Sequence, residues 1–179
     1  MAFDTLFDSS TLEDYNVWIN RLIVNPEYLL NNPLYIFRGE YGWLSNFHSF
    51  PIQYENIIYP STEYAYQAAK TLDNSMREMI SQASSPGKAK KMGFAVSLRD
   101  NWDTIKYQVM EDIIRIKFED KTLSDKLIAT GDRYLIEGTT WCDNNYGICI
   151  KKDCYKCKDK KGLNNLGNIL MKIRKEKLG

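Results

Sequence analysis

The chain has 179 residues, 44% of them apolar and 26% charged, a balance that fits one folded domain with a real core and excludes a disordered chain. Lysine and arginine together number 24 against 23 acidic residues, and the resulting net charge of +1 removes any global electrostatic case for a nucleic-acid or membrane partner. No apolar run is long enough to span a bilayer and no basic, apolar leader opens the chain, so a cytoplasmic protein without a membrane partner is expected.

Ser10-Thr11-Leu12-Glu13 has capping-box form, and Leu12, Tyr15, Trp18, Ile19, Leu22 and Ile23 follow at helical spacing as far as Asn25-Pro26. The expected organisation is an N-terminal helical extension over 1–33, packed on a domain over 34–179. Leu34–Arg38 reads as a short apolar strand, Gly39–Phe47 as a loop, and Ile52–Tyr59, broken at Glu55-Asn56, as a tight hairpin. Ser61 is placed to cap a helix through Lys70, and Asp73 a second over Met76–Ala83. Ser85-Pro86 pairs an N-cap with proline at the first helical position.

Trp102, Ile105, Val109, Ile113 and Ile116 mark a long amphipathic helix. Thr122 is the expected cap of the next, which Gly131 ends. A short strand around Tyr134–Glu137 leads into the long loop Gly138–Gly162, a length that compact domains reserve for functional or pinned segments. The last helix, Asn165–Lys177, turns Leu166, Ile169, Leu170 and Ile173 inward. The pattern predicts a mainly α fold, α+β only through a few short strands, in a single compact helix-rich domain.

Seven steps of about 100° bring Lys70 back onto the helical face of Glu63, with Tyr66 and Gln67 between them. Such a face is ordinarily solvated surface, and the wall of a polar pocket is the alternative. His48 is the only histidine, and between Phe47 and Phe50 a structural role suits it better than catalysis. Without a nucleophile elbow, Walker loop or dinucleotide glycine fingerprint, any chemistry falls to carboxylates, lysines, tyrosines or a metal. Cys142, Cys149, Cys154 and Cys157 are all the cysteines of the chain, and only the last two are tightly spaced. Free thiols or plain loop residues are the simpler reading, and a four-cysteine zinc staple the sharper one.

Several segments, in order, resemble one family. Gly42-Trp43-Leu44-Ser45-Asn46-Phe47 is similar to the Leu-Ser-Asn-Phe signature of the NADAR (NAD- and ADP-ribose-associated) or YbiA-like N-glycosidases, and Ser61–Lys70 to their Ser-Glu-His-x-x-Gln-Ala-x-Lys helix. Pro86-x-x-Ala89-x-x-Met92-Gly93, Arg99-x-x-Trp102 and Met110 through Lys117-Phe118 resemble the middle of that family. Trp141-x-Asp143-Asn144-x-x-Gly147 and Gly162-x-Asn164-x-Leu166-Gly167-x-x-Leu170-Met171-x-x-Arg174 resemble its end. The likeness runs from about Leu34 to Lys177. Tyr64 departs from the usual histidine, Tyr146 from a tryptophan, and Cys142 from a histidine common in members with the nearby cysteines.

The resemblance implies a YbiA-like fold and cleavage of an N-glycosidic bond between ribose C1 and a nitrogen, without metal or cofactor. The implied substrates are ribose-phosphate or ADP-ribose conjugates, either ADP-ribosylated guanine in nucleic acid or phosphoribosylamino-pyrimidine intermediates of riboflavin synthesis. It makes Lys70 a Schiff-base nucleophile and Glu63 its acid–base partner, with Glu63 or Asp143 activating water in a non-covalent route. Arg38 and Arg99 are candidate phosphate contacts, Trp102 a stacking surface or a core residue, and Asn46, Phe47, Tyr64, Asn144 and Asn164 pocket walls. A module that binds ADP-ribose or an NAD derivative without cleaving it is the alternative, and a zinc-stapled nucleic-acid adaptor a third reading. The basic runs Lys151–Lys161 and Lys172–Lys177 lean towards an ADP-ribosylated nucleic acid as partner.

Overall fold

A computed structural model describes residues 33–151, 153–157 and 160–179. The expected N-terminal extension, Pro33 apart, therefore lies outside the described residues. The fold is mainly α, with six α-helices, one 3-10 turn and two short strand pairs among the described residues. Its contacts divide the described residues into two units, one formed by Arg38–Thr130 with Ile173–Gly179 and the other by Gly131–Lys172 with the described residues up to Phe37.

The first unit opens with the 3-10 turn Gly39–Leu44 inside the expected loop, followed by β1 (Ile52–Tyr54) and β2 (Ile57–Tyr59). These pair antiparallel, Ile52 opposite Tyr59 and Tyr54 opposite Ile57. Glu55 and Asn56 have φ of 45° and 67°, the left-handed pair that a two-residue hairpin turn requires. Helices α1 (Thr62–Ala68), α2 (Asn74–Ser81), α3 (Pro86–Gly93), α4 (Trp102–Lys117) and α5 (Lys121–Ala129) follow.

Asp73 accepts from the N–H groups of Ser75 and Met76, and Ser85 from that of Lys88 ahead of Pro86, so both expected caps form. The cap of α5 differs from expectation. Asp120, not Thr122, accepts the Leu123 N–H at 2.9 Å, because the helix already starts at Lys121 and takes the threonine into its first turn. Gly131, with φ of 62°, ends that helix in the left-handed region.

Every residue of α1 is buried, and α2, α3 and α4 all pack on it. Ala65, Ala68 and Ala69 are the reason: without long side chains they let three neighbouring helices close in. The solvated-face reading of this helix therefore fails. On α4, Trp102, Val109, Met110, Ile113, Ile114 and Lys117 form the buried stripe.

In the second unit the two predicted flanking strands shrink to a single parallel bridge, Leu34 to Leu135. Leu34 donates to the Tyr134 carbonyl and Ile136 to that of Leu34, both at 2.8 Å, and the ladder goes little further. β3 (Gly138–Thr139) pairs parallel with β4 (Ile148–Cys149) inside what reads as a continuous loop. The last helix, α6 (Asn165–Lys177), has the predicted bounds, and Leu166, Ile169, Leu170 and Ile173 are buried as expected. No helix among the described residues is long and apolar enough to cross a membrane.

Candidate active site

The site begins at the start of α1. Ser61 holds the N-cap position with extended backbone, yet its hydroxyl caps nothing. The carbonyl of Asn46, from a distant turn, accepts both the Glu63 N–H and the Thr62 hydroxyl at 3.0 Å. A helix N-terminus left with orphan donors is thus satisfied by tertiary structure rather than by its own cap residue. The Asn46 side chain also accepts from Thr62 Oγ1 at 3.3 Å and donates to Met110 Sδ at 3.4 Å. Beside it the Ser45 carbonyl accepts from Lys117 Nζ at 2.8 Å, an amine carried on a residue only 1% exposed. The Leu44-Ser45-Asn46 turn is therefore clamped between α1 and α4, which fixes where Glu63 stands.

Glu63 is 5% exposed, and its Oε1 accepts from Gln67 Nε2 at 2.8 Å one turn on. Gln67 is itself buried against the end of α3 at Gly93, where any Cβ would overlap its side-chain carbonyl. The glycine is what lets α3 approach so closely. Its carbonyl accepts from Lys70 Nζ at 3.3 Å.

Lys70 lies just past the end of α1, its N–H reaching back to the Gln67 carbonyl and its own carbonyl held by the Arg99 N–H at 2.8 Å. Its amine sits 5.8 Å from the centre of the Tyr66 ring and 5.1 Å from that of Phe94. Burial lowers the pKa of this amine, Glu63 raises it, and Lys90 lowers it again; burial is the largest effect. Tyr66 in turn packs on Trp102 with ring centres 5.3 Å apart and planes tilted by 50°. A buried carboxylate, a desolvated amine and a pair of aromatic rings thus belong to one connected set of side chains.

The other predicted residues divide. Arg99 adjoins Lys70 through the backbone, and its Nε is buried without an acceptor. Trp102 is buried against Tyr66, as its place on the apolar stripe of α4 suggested. Tyr64 donates its hydroxyl to the Ala83 carbonyl at 3.0 Å, which ties α1 to the end of α2, and burial pushes its phenol up. Arg38 and Phe47 are exposed on either side of the 3-10 turn. His48 is half-buried, and burial with the charges of Lys117 and Lys126 lowers its pKa.

Asp143, Asn144 and Asn164 belong to the second unit, where each organises backbone. Asp143 Oδ1 accepts from the N–H groups of Asn145 and Tyr146 at 2.8 and 3.0 Å. Asn144 accepts from Cys149 N–H at 2.8 Å and donates to the Lys160 carbonyl at 2.9 Å. Asn164, at φ of 51°, accepts from Glu137 N–H and donates to the Leu135 carbonyl.

Three residues of the set were not among the sequence candidates: Tyr66, Gln67 and Gly93. The first two stand at i+3 and i+4 from Glu63, a signal present in the sequence; the approach of Gly93 needed the packing of α3. Among the described residues, the sulfurs of Cys142, Cys149 and Cys154 lie within 4.8 Å of one another, and Cys157 is buried in the same cluster. Cys142 and Cys154 are joined as a disulfide with Cα atoms 6.2 Å apart. That corrects the expectation of thiols at these two positions, which stand 12 residues apart in sequence.

The NADAR domain profile matches residues 35–177. The chain belongs to the NADAR family. Within NADAR it is 38% identical over 144 residues to N-glycosidase YbiA of Escherichia coli (strain K12), a match covering 76% of this chain and 82% of that protein. It is 31% identical over 142 residues to N-glycosidase Npun_R5314 of Nostoc punctiforme, covering 76% of this chain and 85% of the relative. It is also 31% identical over 157 residues to the riboflavin biosynthesis protein VVA0006 of Vibrio vulnificus, where it covers 83% of this chain but 39% of the longer protein. The solution structure of E. coli YbiA superposes with a TM-score of 0.67 at 36% identity, covering 82% of this chain and 83% of that one. The NADAR fold expected from the motifs is thus the fold observed.

Proposed function

We propose that this chain is an N-glycosidase that cleaves the bond between ribose C1 and an exocyclic nitrogen of a ribose-phosphate or ADP-ribose conjugate. The observation that carries the reading is the buried Glu63 carboxylate, fixed by Gln67 and joined through Gly93 to the desolvated Lys70 amine. Kinship with two proteins named N-glycosidases supports the same reaction class. Placing Glu63 in a water-poor setting suits a proton carrier, and lowering the pKa of Lys70 suits a nucleophilic amine.

The proposed sequence starts with Glu63 protonated and Lys70 neutral. The exocyclic nitrogen forms a double bond to C1 as the C1–O4 bond breaks, and O4 takes the Glu63 proton. The Lys70 amine adds to C1. Glu63, now a carboxylate, moves a proton from the Lys70 nitrogen to the leaving nitrogen, and the C1–N bond breaks with its electron pair going to the departing amine. Water adds to the remaining C1=Nζ bond while Glu63 removes its proton, and breakage of C1–Nζ returns the free sugar and Lys70. The step needs no metal or redox partner.

Arg99, with a buried donor lacking an acceptor, is assigned to the substrate phosphate, and Tyr66 with Trp102 to the wall beside the sugar. Asn46 is a positioning residue for Glu63. Asp143 is left out of the chemistry because two backbone N–H groups hold its Oδ1.

ADP-ribosylated guanosine in an oligonucleotide and a phosphoribosylamino-pyrimidine are the two substrates to offer, followed by mass spectrometry of released base and sugar. Release from either by wild type but not by Glu63→Gln is the expected result. Tight binding of ADP-ribose with no product from either would replace the enzyme by a binding module. Full turnover by Lys70→Ala would overturn the covalent route and leave Glu63 activating water directly.

A further inference from the structure

The four cysteines lie far along the chain from Glu63 and take no part in the proposed reaction. Cys149, Cys154 and Cys157 form a buried cluster, and Cys142 packs against it. Three of the four sulfurs already lie within 4.8 Å of one another. A tetrahedral zinc with bonds of about 2.3 Å sets its sulfurs roughly 3.8 Å apart, so these three need shifts of about an ångström, and the Cys157 sulfur, buried in the same cluster, has to close in as the fourth ligand.

The surrounding backbone is built for this convergence. β3 and β4 pair Thr139 with Cys149, and Asn144 ties the Cys149 N–H to the Lys160 carbonyl. The N–H groups of Cys154, Cys157 and Lys160 each bond back three residues, which winds the Cys-x-x-Cys segment into successive turns around the cluster. Cys142 has φ of 63°, a left-handed conformation that a non-glycine residue keeps only when its surroundings hold it there. Charge agrees as well. A zinc with four thiolates carries two net negative charges, and Lys151–Lys161 contains six lysines against two aspartates.

We infer that the reduced chain binds one zinc ion through Cys142, Cys149, Cys154 and Cys157, as a structural staple of the Gly138–Gly162 segment. Four protein sulfurs leave no open position for water or substrate, so this metal plays no part in bond cleavage. Each thiol loses its proton to bind, and the binding free energy goes into the order of a segment with few apolar side chains of its own. The lysine run then offsets the charge of the metal centre rather than serving as a free basic patch.

The test is independent of any glycosidase assay. Full-length protein purified under a thiol-free phosphine reductant, without chelator, is expected to carry about one zinc per chain by elemental analysis. Its cysteines should resist a thiol reagent until the metal is stripped, and cobalt should replace zinc with the visible absorption of tetrahedral thiolate coordination. Cys142→Ser and Cys157→Ser are each expected to weaken zinc binding about tenfold or more. Metal-free reduced protein that takes up no cobalt, or a Cys142–Cys154 disulfide that persists under the reductant, overturns the inference without reference to the variants. Zinc bound as tightly by either variant removes that cysteine from the site.

Discussion

At Glu63 and Lys70 the chemistry reduces to one buried carboxylate and one desolvated amine. Glu63→Gln keeps the hydrogen bond to Gln67 in shape but cannot carry a proton, so turnover should fall by about 10²–10⁴ with an unchanged melting transition. Borohydride added during turnover should trap a sugar adduct on wild type and none on Lys70→Ala. The pH dependence follows from the sign of the Lys70 shift. Its pKa lies below the ordinary lysine value because burial disfavours the ammonium, so activity should fall as pH drops through that lowered value. Lys90 lowers it further, so Lys90→Ala should move this acid limb of the kcat/KM profile to higher pH, whereas no movement would remove Lys70 from the reacting groups. In sequence, Glu63 and Lys70 were visible as spacing and motif. Their burial was not, because it depends on three neighbouring helices closing over the small side chains of Ala65, Ala68 and Ala69.

Between elements the decisive contacts are α1 with α3 and α1 with α4. Gly93→Ala puts a Cβ into the Gln67 side chain, and overpacking of this kind costs about 1–3 kcal/mol of stability. It should also lower kcat, since the displaced Gln67 no longer holds Glu63; denaturant melts and single-turnover rates separate the two effects. Lys117→Ala removes a buried amine from the Ser45 carbonyl and leaves a void, with an expected loss of about 2–4 kcal/mol. Helices with strong local signals were legible: α6 has its predicted bounds, and Asp73, Ser85 and Gly131 act as their types foretell. Elements whose ends depend on distant partners were not. Ser61 gives up its capping role to the Asn46 carbonyl, Asp120 displaces Thr122, and the Leu34–Arg38 and Tyr134–Glu137 strands reduce to one bridge because each has only a short partner.

For the molecule as a whole, a net charge of +1 limits electrostatic attraction to a polymer, and the basic residues are concentrated late in the chain. If an ADP-ribosylated oligonucleotide is the substrate, its KM should rise with salt at a log–log slope of about one to three, while a mononucleotide-sized substrate should show less. A flat response with the oligonucleotide would confine recognition to the modified nucleotide. By itself the sequence determined the helix-rich fold class, most helix positions and the family, because periodicity, caps and ordered motifs are local signals that survive without coordinates. Only the tertiary structure decided that Glu63 is buried and braced by Gln67, that Gly93 joins it to Lys70, and that four scattered cysteines share one cluster. Burial, desolvation and convergence are properties of neighbours in space, which spacing along the chain does not fix, whether those neighbours stand a few residues apart, as the cysteines do, or more than twenty, as Gly93 does from Gln67 and Lys70.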